Sequence, residues 1–237
     1  IARECLRMVG ITGWIEITSI ADIPSGTGLG SSSSFTVGLL NALYTYVGER
    51  LSSEELAKRA CQIEIDVLGH PIGKQDQYAA AYGGINYFTF ERNGEVRREK
   101  IIVSNNDLRN MNRKLMMFYT GVRRSADGIL SRQSKDTKNK MEVLTFMRDQ
   151  ANQMKSYLTT KDLFDSEFAA MLDTAWAKKK SVTSGISNPQ IDELYQKALN
   201  AGASGGKLLG AGGGGFILLY CDEQYQQSVR DALELNE

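Results

Sequence analysis

Histidine is nearly missing from this 237-residue chain, in which His70 stands alone. That excludes multi-histidine metal sites and argues against a serine–histidine–aspartate triad. Cysteine is almost as scarce. Cys5, Cys61 and Cys221 are odd in number, far apart and never in a C-x-x-C pair, so they fit neither a disulfide framework nor a zinc site and read as core thiols of a reducing, cytoplasmic compartment. Neither sign of charge is in excess, with 28 Lys and Arg against 28 Asp and Glu, so no nucleic-acid surface or polybasic membrane patch is expected. No apolar run approaches the roughly 20 residues of a membrane span, and no stretch reads as a signal peptide. Repeats and low-complexity tails are also absent. The length suffices for one large domain or two small ones with a real core.

What the chain does have is glycine in clusters. Ile23 to Phe35 reads IPSGTGLGSSSSF, in which Gly26, Gly28 and Gly30 alternate with small residues and a serine run follows. Trp14 to Ile20 before it reads as a strand, and Phe35 to Leu43 after it has a helix's apolar spacing. Strand, glycine loop and helix in that order make a phosphate site. Glycines allow positive φ and close approach to backbone N–H groups, and the helix start adds unpaired donors and a positive dipole end. A P-loop is excluded because no lysine follows Gly30, and the dinucleotide fingerprint because the glycines lie two apart. The bland alternative is a flexible serine–glycine turn.

Further along, Ser52 and Glu55 form a capping box that opens a helix running to about Gly69. A tight turn follows over His70 to Gly73, then a short helix over Gln75 to Ala81 stopped by Gly83-Gly84. Ile85 to Phe90 and Val96 to Ile101 flank Asn93-Gly94, a strong hairpin signal. Asn105-Asn106-Asp107 reads as a turn, and the domain boundary is placed there, giving domains 1–106 and 107–237. Leu115 to Tyr119 reads as a buried strand, followed by a charged, mostly helical region to about Lys180. Strands at Gly206 to Leu209 and Phe216 to Tyr220 enclose a second glycine run, and a closing helix starts near Glu223. This is a two-layer α+β arrangement in two domains. Glu64 lies on the helix before Gly69 and Asp76 just after the turn, so the chain can fold back and bring both carboxylates towards one cleft. The bland alternative for each is a solvated helix face.

Pro24 to Ser33 match P-x-x-x-G-L-G-S-S-[AS], and the stretch resembles the second motif of the GHMP kinases, the galactokinase, homoserine kinase, mevalonate kinase and phosphomevalonate kinase superfamily. Glu64, Gly69, Pro71, Gly73, Asp76 and Gln77 fit a pattern similar to that of galactokinases, and Lys207 to Gly215 fit the third motif, K-x-x-G-A-G-x-G-G. The resemblance implies an N-terminal part like ribosomal protein S5 domain 2 and a ferredoxin-like C-terminal part. It implies ATP and Mg2+ as cofactors. Pro24, Gly26, Gly28, Leu29, Gly30, Ser31, Ser32, Ser33, Gly212 and Gly213 would hold the nucleotide, Ser32 and Glu64 the metal, and Asp76 would be catalytic. The start at Ile1, without methionine and in mid-helix, leads to the expectation of natural sequence before it, where the family's first motif and its basic group would lie.

Within the superfamily, Tyr119 to Ala126 and the flanks of the second glycine run look most like the D-glycero-D-manno-heptose 7-phosphate kinases, which phosphorylate an anomeric hydroxyl on the way to a GDP-activated heptose for surface polysaccharide. Gly121, Arg123 and Arg124 are then the substrate-binding candidates, since an arginine fork suits phosphate oxygens. Their bland alternative is surface charge. The partners implied are a sugar phosphate and ATP, with no nucleic acid or membrane; oligomeric state has no signal in the sequence. Three other readings stay open. They are an L-fucokinase-like or other GHMP sugar kinase, a non-catalytic sugar and nucleotide sensor on the same fold, and a decarboxylase on that fold.

Overall fold

A computed structural model of the chain describes residues 1–122, 127–136, 140–159 and 165–234. They form two compact units, Ile1–Ser25 with Gly30–Glu99, and Gly26–Leu29 with Lys100–Glu237.

The first unit contains α1 (Ala2–Val9), α2 (Ser31–Tyr46), α3 (Ser53–Cys61) continued by a π-helical turn (Gln62–Val67), α4 (Gln75–Tyr82), and a hairpin of β1 (Asn86–Phe90) and β2 (Val96–Lys100). Helix α2 is apolar on most of its circumference and therefore becomes the central helix. Its Val37, Leu39, Leu40, Leu43 and Tyr44 are buried with Cys5 of α1 and with Leu56, Ala60 and Ile63. Each fully buried leucine there contributes about 1.5–3 kcal/mol. Ser52 caps α3 as expected: its Oγ accepts from the Glu55 N–H at 3.2 Å, and the Glu55 carboxylate accepts from the Ser52 N–H at 2.9 Å. The hairpin turns at Gly94, with φ +88°. It packs on α4 through Phe88, edge-on to Tyr78 at 5.9 Å between ring centres. Lys74, the residue before α4, donates to the Gly94 carbonyl at 2.8 Å. The hairpin thus braces the helix that carries Asp76 and Gln77.

The second unit contains α5 (Asn105–Lys114), β3 (Leu115–Tyr119), α6 (Asp127–Asp136), α7 (Met141–Leu158), α8 (Ser166–Lys180), α9 (Pro189–Asn200), β4 (Gly205–Leu208), β5 (Phe216–Tyr220) and α10 (Glu223–Leu233). The three strands form an antiparallel sheet in the order β3-β5-β4, with Met117 and Lys207 both opposite Leu218. Alternation along the strands puts Met116, Phe118, Leu208, Ile217 and Leu219 on one face, buried with Trp176 of α8 and Ile191 of α9. Strand β4 begins with glycine for a steric reason. A Cβ on Gly205 would stand 2.3 Å from the Ala169 carbonyl oxygen, because α8 crosses the strand backbone to backbone.

Two expectations are corrected. Trp14 to Ile20 has a strand's composition but is not a strand, and Trp14 and Ile20 stand almost fully exposed. Alternation makes a strand only where a neighbour completes the ladder, and among the described residues no segment pairs with it. Asn105-Asn106-Asp107 is the first turn of α5. Ser104 caps that helix, its Oγ accepting from the Asp107 N–H at 3.1 Å and donating to the Asp107 carboxylate at 2.6 Å. The cluster of turn-forming residues was a helix start. Smaller differences are a one-residue shift of β4 and the π-turn after α3. The three cysteines are free and buried, and burial pushes each thiol up to about 11.

The Ser104 cap yields a direct prediction. Ser104→Ala should lower the unfolding free energy by about 1 kcal/mol, read from urea denaturation. An unchanged midpoint would mean that α5 is held by its packing alone.

Candidate active site

In the first unit the site grows from the start of α2. Gly30 is its N-cap in the left-handed region, φ +67°, with no side chain capping the helix and no acidic residue in the first turn. Ser31, Ser32 and Ser33 follow, so the first N–H groups of α2 have no capping side chain, an arrangement suited to an anion. Asp76 lies beside this point. A Cβ on Gly30 would come within 3.3 Å of the Asp76 Oδ2, Cβ and Cγ, so the two residues that the sequence analysis placed in different motifs are neighbours. Glycine is favoured at position 30 by its left-handed φ, and a Cβ there would also crowd the Asp76 side chain.

Glu64 sits on the π-helical turn and is buried. Its Oε2 accepts from Gln77 Nε2 at 2.7 Å, while Oε1 is buried with no hydrogen-bond partner. A buried carboxylate oxygen with nothing to accept from is costly unless a cation supplies the charge. Ser32, exposed in the first turn of α2, and the buried Glu64 each offer oxygen, the donor type that Mg2+ takes, and the orphaned Oε1 leaves Glu64 with capacity for a cation. His70 is half-buried in the turn, where its backbone N–H donates to the Glu64 carbonyl at 3.0 Å.

In the second unit two glycine segments lie backbone on backbone. The loop 209–215 joins β4 to β5, closed at its base where the Leu209 N–H donates to the Phe216 carbonyl at 2.9 Å. A Cβ on Gly210 would fall 2.4 Å from Gly28 Cα, one on Gly28 would fall 2.8 Å from the Leu209 carbonyl oxygen, and one on Gly215 would fall 2.2 Å from the Thr27 carbonyl oxygen. Gly212 and Gly213 are buried against Ile186, whose carbonyl accepts from the Gly213 N–H at 2.8 Å. Gly26 and Leu29 belong to the same segment as Gly28, and Pro24 precedes it.

The chain beyond β3 joins the same cluster. Thr120 Oγ1 donates to the Gly215 carbonyl at 2.8 Å, and the Gly215 N–H donates to the Val122 carbonyl at 3.0 Å. Gly121, exposed with φ +75°, is therefore next to the second glycine run. Arg123 and Arg124 lie outside the described residues. Reasoning from sequence missed Thr120, Lys179 and Gln77. Lys179 of α8 donates to the Gly210 carbonyl. Gln77 carried a visible signal, since it follows Asp76 within the matched motif, whereas nothing marks Lys179 among its neighbouring lysines.

The glycine segments of the second unit and, in the first, the uncapped start of α2 with Asp76 beside Gly30 are each features suited to phosphate groups, whereas Glu64 meets Gln77 and not Asp76; comparison with known proteins identifies the family. The model of the GHMP kinases N terminal domain matches residues 1–84 and that of the GHMP kinases C terminal domain matches residues 161–236. The chain belongs to the GHMP kinase family and has its two-domain α+β fold. Among individual relatives it is 31% identical over 221 residues to the D-glycero-alpha-D-manno-heptose 7-phosphate kinase of Campylobacter jejuni, covering 92% of this chain and 64% of that protein. It is 27% identical to the L-fucokinase/L-fucose-1-P guanylyltransferase of Bacteroides fragilis, over 94% of this chain and 24% of the other. A solved structure of a D-glycero-D-manno-heptose 1-phosphate kinase from Bacteroides thetaiotaomicron superposes with a TM-score of 0.69 at 28% identity, over 90% of this chain and 59% of that one. The chain thus spans about two thirds or less of the length of these relatives. Among the described residues no helix is long and apolar enough to cross a membrane.

The backbone contact makes a prediction that needs no sugar. Gly210→Ala should lower the melting temperature and weaken ATP binding together, since a methyl group cannot enter that contact without moving Gly28. Gly48→Ala, also at positive φ but with open space around its Cβ, should leave ATP binding unchanged. Native ATP affinity in the Gly210 variant, measured by calorimetry, would show that the contact does not shape a nucleotide site.

Proposed function

We propose that this chain is the greater part of an ATP-dependent sugar kinase, transferring phosphate to the anomeric hydroxyl of D-glycero-D-manno-heptose 7-phosphate to give the 1,7-bisphosphate. The observation that carries the reading is the placement of the Asp76 carboxylate against Gly30, at the N-terminus of α2. A proton acceptor beside an uncapped helix start has a phosphate cradle and a general base within one small region. In this reading residues 1–106 form the ATP-handling domain and residues 107–237 the domain that completes it.

Each residue then has one task. The N–H groups at the start of α2 and along Gly26 to Gly30 hold phosphate oxygens, and Gly212 and Gly213 are assigned to the nucleotide as part of the second glycine loop. Ser32 and Glu64 hold Mg2+, which when bound neutralises charge on the transferring phosphate. Asp76 orients the acceptor hydroxyl and takes its proton. Arg123 and Arg124 meet the phosphate at the far end of the sugar. Phosphoryl transfer demands mainly alignment and charge neutralisation, and this set of residues is suited to both. Heptose phosphate is favoured as substrate because the Campylobacter jejuni and Bacteroides thetaiotaomicron relatives both carry heptose phosphate kinase in their names. A cytoplasmic setting follows from the need for ATP.

Two outcomes test this in the full-length protein. Asp76→Asn should lower kcat by about 10²–10⁴-fold while MgATP binding stays near native, because a general base acts on the chemical step. Unimpaired turnover would remove the base assignment. Across a panel of sugars, kcat/KM for the heptose 7-phosphate should exceed that for the unphosphorylated heptose by about tenfold to a hundredfold, the worth of an arginine–phosphate contact of about 1.5–3 kcal/mol. L-fucose as the better substrate would leave the family standing and overturn the heptose assignment. Nucleotide binding with no phosphorylation of any sugar would favour the sensor reading.

A further inference from the structure

Gln77 and Glu64 form a pair that packing alone does not explain. Gln77 has no exposed surface, and Glu64 has only 1% of its surface exposed. The amide Nε2 donates to Glu64 Oε2 at 2.7 Å. Yet Glu64 Oε1 and Gln77 Oε1 are both buried without a hydrogen-bond partner. If the pair served only to fill space, two apolar side chains would do so without leaving two orphaned oxygens.

The orientation of the amide is fixed by chemistry. Turned the other way, Gln77 would set its oxygen against a carboxylate oxygen, two acceptors with no proton between them. With Nε2 towards Glu64, the donor occupies Oε2 and leaves Oε1 as the oxygen with capacity to spare. The carboxylate is thereby held in one rotation. Gln77 itself is held by α4, which is braced by Lys74 on the Gly94 carbonyl and by Phe88 against Tyr78. A hydrated divalent cation would satisfy both orphaned atoms, giving charge to Glu64 Oε1 and a water proton to Gln77 Oε1.

We propose that Gln77 is a positioning residue for the metal. It fixes Glu64 through Oε2 so that Oε1 is presented to the divalent cation, and its own carbonyl oxygen is left to accept from the cation's bound water. This rests on the reading of Glu64 as a metal ligand given under the proposed function. Partners that orient a metal's ligands typically contribute about 10–100-fold to metal affinity.

The test measures metal binding, not turnover. Free Mn2+ is followed by electron paramagnetic resonance as it titrates the full-length protein saturated with ADP, with no sugar present. Gln77→Met keeps the side-chain length and removes the amide; Gln77→Asn keeps the amide but is too short to reach Glu64. Both should weaken Mn2+ binding by about tenfold or more, with native circular dichroism. Glu64→Gln run alongside separates the two ideas. If it weakens Mn2+ binding while both Gln77 variants bind as the native protein does, Gln77 is not a positioning residue. If Glu64→Gln itself binds Mn2+ normally, the metal-ligand reading of Glu64 fails and this inference with it. Loss of native circular dichroism in both Gln77 variants would make the pair a packing element and overturn the proposal.

Discussion

The close approach of two backbones, Gly28 on Gly210, is the contact on which the second unit's glycine cluster depends. With a Cβ on Gly210 only 2.4 Å from Gly28 Cα, neither strand of chain tolerates a side chain there. Gly215 repeats the constraint against the Thr27 carbonyl oxygen, at 2.2 Å. Two loops that meet without side chains leave peptide groups as the chemistry on offer, and peptide N–H groups at positive φ suit phosphate rather than an apolar ligand. The contact also explains why residues 26–29 belong with the second unit although their neighbours on both sides belong to the first. The chain leaves one unit, lies on the other's glycine loop, and returns at Gly30 to begin α2.

Rigid elements hold that loop at its ends. The β4–β5 register fixes where it starts and stops, and Leu209 to Phe216 closes it. Thr120 and Val122 bind Gly215 from one side and Ile186 binds Gly213 from the other, so a segment rich in glycine is nevertheless tied by hydrogen bonds along its length. Lys179 adds a tie from the end of α8 to the Gly210 carbonyl. Conformational freedom lost in this way is lost at folding rather than at ligand binding, which is how a site is preorganised.

Much of this was legible in the sequence because the signals were local. The capping box at Ser52, the Asn93-Gly94 hairpin and the strands Leu115 to Tyr119 and Phe216 to Tyr220 each depend on residues close together in the chain, and each was found where expected. Trp14 to Ile20 failed because strand formation needs a neighbour that alternation cannot reveal. Ser104 to Asp107 failed because the residues that make turns also cap helices, and only the following packing decides between them. For the site, spacing implied Glu64, Asp76 and the glycines. It could not reveal that Asp76 rests against Gly30, or that Gln77 rather than solvent meets Glu64, since both are contacts between helices.

Glu64 shows what such a site costs the fold. Ile63 and Glu64 are consecutive and both buried, one in the apolar cluster around Leu40 and the other against Gln77. A π-turn at this point, a feature often found at functional sites, shifts the helical register so that a carboxylate follows a core isoleucine into the interior. The single hydrogen bond from Gln77 offsets only part of the desolvation. A sequence selected for stability alone would place an apolar residue at position 64 and keep the helix regular. Both irregularities, the turn and the half-satisfied carboxylate, are accounted for by the proposed metal role of Glu64, in which a bound cation would supply the interaction that Gln77 does not.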